Sequence, residues 1–284
     1  MNRIFLIGNG QSRLQFPIEK LKGHGKIYGC NAIYRDYPDL IDVLTGVDHG
    51  ICHEIYHSGY ALKKPCYFRN WTKVPVHMYS MMVEGMASKQ EVEDIKKYDL
   101  IKSNNQDDST EFVMHGTNLK GLVGIIKKNN QIDRQQINKS QLYLSWIKEG
   151  DMSFDFRDIA DGKDHGWACG ATSGFIACKR EHPDEVYMIG HDLYSDTDKI
   201  NNIYASTQNY TAKNTPPTPA VNWVDQWRTL MGWTPDVKFY KVNLDGADTK
   251  TNRPLPEWSK LSNIEYMTHR QVLDKLGISW YNGT

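Results

Sequence analysis

The stretch that most constrains this chain is Arg3-Ile4-Phe5-Leu6-Ile7, followed at once by Gly8-Asn9-Gly10-Gln11-Ser12. A short run that is apolar at nearly every position suits a strand buried on both faces of a parallel sheet, and glycines end it in a turn. Lys26 to Asn31 reads as a second strand and Asp42 to Asp48 as a third, each closing on a polar residue. Parallel strands open their carboxyl ends onto a common crevice, so Asn9, Asn31 and Asp48 are expected to converge there.

Further along, Ser88 to Tyr98 has a capping-box spacing, Ser88 with Glu91, and predicts an exposed helix. Residues 102–111 are polar and acidic and predict a mobile excursion, and Asn138 to Gly150 predicts a helix closed by its glycine. Gly166 to Glu181 reads as a turn feeding a helix, Val186 to Gly190 as a buried strand, and His191-Asp192-Leu193-Tyr194 as a second polar strand end. The Tyr-bearing, Pro-rich segment 195–222 is long enough to be a functional loop or lid. A helix over Val224 to Trp233, a strand over Val237 to Val242 and a helix from Thr268 to Leu276 complete the pattern.

Composition narrows the function classes. Of 284 residues, 34 are Lys or Arg and 34 Asp or Glu, so no global field gathers polyanions. The apolar runs fall far short of the roughly 20 residues a membrane helix needs, and the N-terminus runs straight into a strand pattern. A cytoplasmic protein with no membrane span is the expectation. Five cysteines with no CxxC pair predict reduced core thiols.

The Gly8-to-Ser12 turn exposes backbone N–H groups and lets a nucleotide approach closely, yet it is neither GxGxxG nor a Walker loop; a turn chosen for its geometry reads equally well. Thr172-Ser173-Gly174, beside a helix start, forms either an anion-binding nest or a plain cap. Ala171 in place of glycine denies Ser173 a nucleophile elbow. His53-Glu54-Ile55-Tyr56-His57 matches the five-residue pattern of zinc hydrolases, with His49 one turn earlier. No third ligand is marked, so an ordinary cleft or surface helix stands ahead of a metal site.

Taken together, Ile7 to Ser12, Cys30-Asn31, Thr172-Ser173-Gly174 and Gly190 to Tyr194 resemble, in order and spacing, the bacterial family 42 sialyltransferases and related phage proteins. The resemblance covers residues 1–50 and 165–245, with Val237 to Gly246 similar to a later strand, and leaves out the middle third. It implies one α/β, Rossmann-like (GT-A-like) domain over 1–284, with a central, mostly parallel sheet and a lid at 195–222. The implied reaction is inverting and metal-independent, with the nucleotide-sugar, in that family a CMP-sugar, as co-substrate and no further cofactor.

Carried over residue by residue, the resemblance puts Asn9, Gly10, Ser12 and Asn31 at the nucleotide, with Thr172, Ser173 and Gly174 nearby and Asp192 at a ribose or base edge. Tyr194 and Tyr204 match tyrosines that stabilise the leaving phosphate through their hydroxyls. The chain departs from the family twice: residues 192–268 hold no histidine to act as lid base, and Asp48 stands where an amide contacts the nucleotide. A carboxylate there prefers hydroxyls or a cation to a phosphate. Among His165, His191, Asp192, Asp196 and Asp225, the expected base is His191 or Asp225; the plainer alternatives are a satisfied strand-end histidine and a surface charge.

The sequence therefore predicts a glycosyltransferase acting on a hydroxyl of a glycan or of a hydroxymethylated phage DNA base. Its tryptophans and tyrosines suit either acceptor stacking or the interface of a homo-oligomer. The rivals are a zinc hydrolase on His53, Glu54 and His57, and a nucleotide-binding module that retains the crevice without catalysis.

Overall fold

A computed structural model of the chain describes residues 1–69, 71–75, 101–102, 109–115, 143–148, 156–159, 164–246 and 248–280. The chain read as one domain gathers its contacts into two compact units, Met1–Thr45 with His165–Thr284, and Gly46–Asp164.

The first unit is built on strands β1 (Arg3–Ile7), β2 (Lys26–Cys30), β3 (Val43–Gly46), β10 (Glu185–Ile189), β11 (Lys238–Asn243) and β12 (Ile264–Thr268). The strands between β3 and β10 in the chain, β4 (Cys66–Phe68), β5 (Trp71–Pro75), β6 (Ile101–Lys102), β7 (Ser109–His115), β8 (Tyr143–Lys148) and β9 (Phe156–Asp158), belong to the second unit. In space the six run β12-β11-β10-β1-β2-β3, every pair parallel. Numbered within the unit, that order is 3-2-1-4-5-6, the doubly wound Rossmann arrangement, whose topological switch point lies between β1 and β10.

The central strands form because they bury both faces: Ile4 through Ile7 and Val186 through Ile189 are inaccessible to water. Among the described residues, helices α2 (Cys169–Glu181), α3 (Val221–Trp233) and α4 (His269–Leu276) accompany these strands, and α1 (His49–His57) belongs to the second unit. Helix α2 meets α3 at Gly174, where an added Cβ would lie 2.8 Å from the Trp227 ring and 2.9 Å from Leu230. Glycine there reflects close helix packing. Helix α4 starts as its sequence predicts, with Thr268 and Gln271 in a reciprocal capping box, and stops at Gly277 in the left-handed region.

At the amino-terminal edge of the sheet, buried Glu185 accepts from Arg3 Nε (3.0 Å), the Tyr187 hydroxyl (2.8 Å), the Tyr240 hydroxyl (3.2 Å) and Lys275 Nζ (3.0 Å). Burial pushes its pKa up, but the bonds from Tyr187, Lys275 and Arg3 outweigh that and hold it below the usual carboxylate value. This cluster ties three strands and a helix together at the edge opposite the crevice.

In the second unit, β4 (Cys66–Phe68) pairs in parallel with β9 (Phe156–Asp158). A separate sheet runs β5 (Trp71–Pro75), β7 (Ser109–His115), β8 (Tyr143–Lys148), β6 (Ile101–Lys102). Strand β8 corrects the helix expected over 138–150: residues 143–148 pair antiparallel with β7. Tyr143-Leu-Ser-Trp-Ile-Lys is aromatic and β-branched, and cross-strand pairing decides in favour of a strand in so short a segment. The excursion expected over 102–111 likewise enters β7 at Ser109. The helix expected over 88–98 lies outside the described residues. All five cysteines are buried and unbridged, as their spacing predicts.

Candidate functional site

The carboxyl ends of β1 and β10 are joined at the backbone. Gly8 N–H donates to Ile189 O (2.8 Å) and Gly10 N–H to Gly190 O (2.9 Å). A Cβ on Gly8 would lie 2.5 Å from Gly190 O, and one on Gly10 would lie 2.4 Å from the Asp192 carboxyl carbon. Both glycines are needed for the approach of the β10 loop. The neighbouring donors are engaged as well: Gln11 N–H with Asn201 Oδ1 (2.8 Å), Ser12 N–H with Asp192 Oδ2 (3.1 Å) and Arg13 N–H with Gly10 O (3.1 Å). In this arrangement the turn offers a ligand side chains more than a cradle of backbone N–H groups.

After β10 the chain enters strained ground. Gly190 and Leu193 take φ of 69° and 62°, bracketing His191 and Asp192. A leucine there costs on the order of 1 kcal/mol, and such outliers cluster at functional sites. Asp192 is buried and accepts both the N–H and the hydroxyl of Ser12. His191 is buried between Gly170 and Trp227, and its Nε2 has no hydrogen-bond partner among the described residues. Burial pushes its pKa down to about 4; a backbone bond with Leu6 opposes this, and the Lys241 charge adds to it.

On the other side of β1, Asn9 Nδ2 donates to Cys30 O (3.0 Å) and to the Tyr210 hydroxyl (3.4 Å), which also accepts from Ala32 N–H (3.2 Å). Asn31, at φ 52°, turns the end of β2 into a 3-10 turn over Asn31–Arg35, a backbone role that asparagine tolerates well. Arg13, missed in the sequence, organises this side. Its buried guanidinium donates to Gly8 O (3.2 Å), Asn9 Oδ1 (3.0 Å), Asp36 Oδ2 (3.3 Å) and the Tyr204 hydroxyl (3.1 Å). By holding Asn9 Oδ1, Arg13 turns the amide nitrogen of Asn9 toward Tyr210.

The segment expected as a lid, 195–222, is a strap hydrogen-bonded over these strand ends. Ile203 N–H donates to Asn9 O (2.8 Å), and Arg35 donates to Thr207 Oγ1 (2.8 Å) and Gln208 O (2.9 Å). Tyr204 is buried and donates to Asp36 (2.5 Å). Burial raises its pKa, Arg13 opposes the rise and Asp36 adds to it. Tyr194 is half-buried, and its phenol pKa is raised by burial and then by Glu257.

The remaining expected residues are placed elsewhere. Thr172, Ser173 and Gly174 lie inside α2, which starts at Cys169, and both hydroxyls are buried. The Thr45 hydroxyl donates to Ser173 Oγ (3.3 Å), and the Thr172 hydroxyl to Trp167 O (3.1 Å). Asp225 is half-exposed on α3 and ion-paired with Arg228 at 2.9 Å. His165 stacks among Trp167, Phe175 and Trp233. Asp48 is exposed in the second unit as the N-cap residue of α1. That helix spans the HExxH segment, but the side chains of His49, His53 and His57 lie outside the described residues. Among the described residues, no three His, Cys, Asp or Glu side chains gather as a metal site, and no helix is long and apolar enough to cross a membrane.

At the switch point, between the β1 turn and the β10 loop, is a cavity of about 270 Å3 lined by Gln11, Gln15, Asp192, Asp196, Asn201, Thr251 and their neighbours. Beneath it, buried Lys241 donates to Asn243 Oδ1 (2.6 Å) and Thr251 O (2.6 Å). Burial lowers its pKa to about 8, while Asp192 and Asp196 pull it back up. A lysine between Tyr240 and Val242, in the middle of β11, is the signal that could have revealed it. Compared with models of protein families, with curated proteins and with solved structures, the chain matches none.

Proposed function

We propose that the chain is a sialyltransferase-like glycosyltransferase that moves a sugar from a nucleotide-sugar donor, a CMP-sugar first among them, to a hydroxyl of a glycan or a hydroxymethylated DNA base. The observation that carries this reading is a 3-2-1-4-5-6 parallel sheet that bonds Ser12 to Asp192 across the β1–β10 switch point, the place where such sheets bind nucleotides, and sets Asn9 against the end of β2, beside Asn31, on the other side of β1. The transfer is inverting and uses no metal. Tyr194 and Tyr204 stabilise the leaving phosphate, Tyr204 once the strap lifts its hydroxyl away from Asp36.

One observation favours the rival reading of a nucleotide-binding module. Of the two groups expected as base, His191 is buried and Asp225 is ion-paired. A base must be free to take the acceptor's proton, and burial encloses His191 while Arg228 holds Asp225.

Thermal unfolding with CMP, UMP, UDP, GDP and AMP tests the proposal, because a ligand that binds only the folded chain raises its midpoint. The expected result is stabilisation selective for CMP and lost in Asn31→Ala. Stabilisation by another nucleotide replaces the donor, and none from any nucleotide overturns the reading. Binding without sugar release for any acceptor establishes the module instead.

A further inference from the structure

The cavity at the switch point differs from the β1–β2 side of the site in its chemistry. Its lining carries two carboxylates, Asp192 and Asp196, and no lysine or arginine. Buried Lys241, behind this wall, directs Nζ into Asn243 and the Thr251 carbonyl. The Asp196 carboxylate is held in place by the Thr251 hydroxyl and by Lys250 N–H (2.6 Å). An anion entering this space meets fixed negative charge with no counter-charge in the wall.

Two uncommitted amides face the same space. Gln11 and Gln15 sit four residues apart on the 3-10 turn Gln11–Gln15, and neither side chain makes a hydrogen bond among the described residues. Each can both donate and accept. Leu14, Ile200 and Leu244 supply apolar wall between these polar groups. At about 270 Å3 the cavity falls just below the usual small-molecule range of roughly 300–1,000 Å3, a size that suits a single small ring.

We propose that this cavity binds a neutral, hydroxyl-rich ring of monosaccharide size. The carboxylates accept its hydroxyls, Gln11 and Gln15 bond its rim, and the aliphatic side chains take its C–H face. The identity of that ring as a substrate sugar rests on the transferase reading; its neutrality and size rest on the cavity alone. A carboxylate-bearing sugar does not suit this wall, so the inference sets this chain apart from the sialic acid chemistry that its motifs suggest.

Saturation-transfer NMR on the full chain is the test, with glucose, N-acetylglucosamine, N-acetylneuraminic acid and methyl phosphate as probes. Gln15→Trp fills the cavity from its exposed rim, where no hydrogen bond is lost, and Gln11→Ala with Gln15→Ala removes both amides. The expected result is transfer to a neutral sugar at millimolar concentration, abolished in Gln15→Trp and weakened at least tenfold in the double variant, with the unfolding midpoints unchanged. Transfer that persists in Gln15→Trp overturns the proposal. So does stronger binding of N-acetylneuraminic acid or methyl phosphate at this place, or no transfer to any neutral sugar. CMP stabilisation measured on the same samples keeps the two readings apart: its loss with sugar binding intact removes the donor assignment, and the converse removes the cavity assignment.

Discussion

The Asp192 carboxylate accepts both the backbone N–H and the hydroxyl of Ser12, a residue 180 positions earlier in the chain, and so locks the β1 turn to the β10 loop. The glycine turn is thereby a structural joint as well as an edge of the proposed binding site. Ser12→Ala leaves a buried carboxylate short of a donor, which costs about 1–3 kcal/mol. The expected outcome is a lower urea midpoint with an unchanged slope.

Gly10→Ala drives a methyl group into that joint, 2.4 Å from the Asp192 carboxyl carbon and 2.7 Å from Gly190 O. Overpacking against backbone destabilises by roughly 1–3 kcal/mol. Gly232, at the end of α3, has nothing within 4 Å of its missing Cβ, so Gly232→Ala is expected to be neutral or to stabilise by about 0.5–1 kcal/mol. Thermal unfolding of the pair separates packing from helix propensity.

Tyr194 and Tyr204 are expected to differ on substitution. Tyr204→Phe removes a hydroxyl that Arg13 donates to and Asp36 accepts from, so it destabilises by about 1–3 kcal/mol. Tyr194→Phe is expected to change stability by less than about 0.5 kcal/mol and, on the proposed transferase reading, to lower the transfer rate constant by roughly tenfold to a thousandfold. Denaturation and donor-turnover assays on both variants check the split; equal stability losses would sink it.

Burial holds His191 neutral, so acid acts through the unfolded chain. The unfolded imidazole takes up a proton near pH 6.5 and the folded one only near pH 4. Stability contributed by the neutral state is complete above pH 6.5 and is lost as pH falls toward 4, by at most roughly 3 kcal/mol. An NMR titration of the His191 ring and urea midpoints across that window check the sign. An imidazole that titrates normally would show the side chain to be hydrated.

The strands that bury both faces were legible because runs as short as 3–7 and 185–189, apolar at nearly every position and ended by glycine, suit a buried strand better than a helix. Strand β12 escaped because Ile264–Thr268 is half-exposed at the sheet edge and shows no apolar run. In the site, Asn9, Asn31 and Asp192 stood out as polar ends of apolar strands. Arg13 did not, because its partner Tyr204 lies 191 residues away, in a segment with no periodicity. Tyr210 and the hydroxyl bridge it makes are equally invisible without the fold of the strap.

The pairing of Arg3 with Glu185 sets a timetable for synthesis. A ribosome adding about 5–20 residues per second takes on the order of ten seconds or more to reach β10 after β1 emerges. Through that interval β1 and β2 present apolar backbone edges with no β10 to receive β1, while Gly46–Asp164 emerges as one contiguous stretch. The first 45 residues therefore wait for their β10 partner until late in synthesis, and truncation before β10 is expected to leave that segment prone to aggregate.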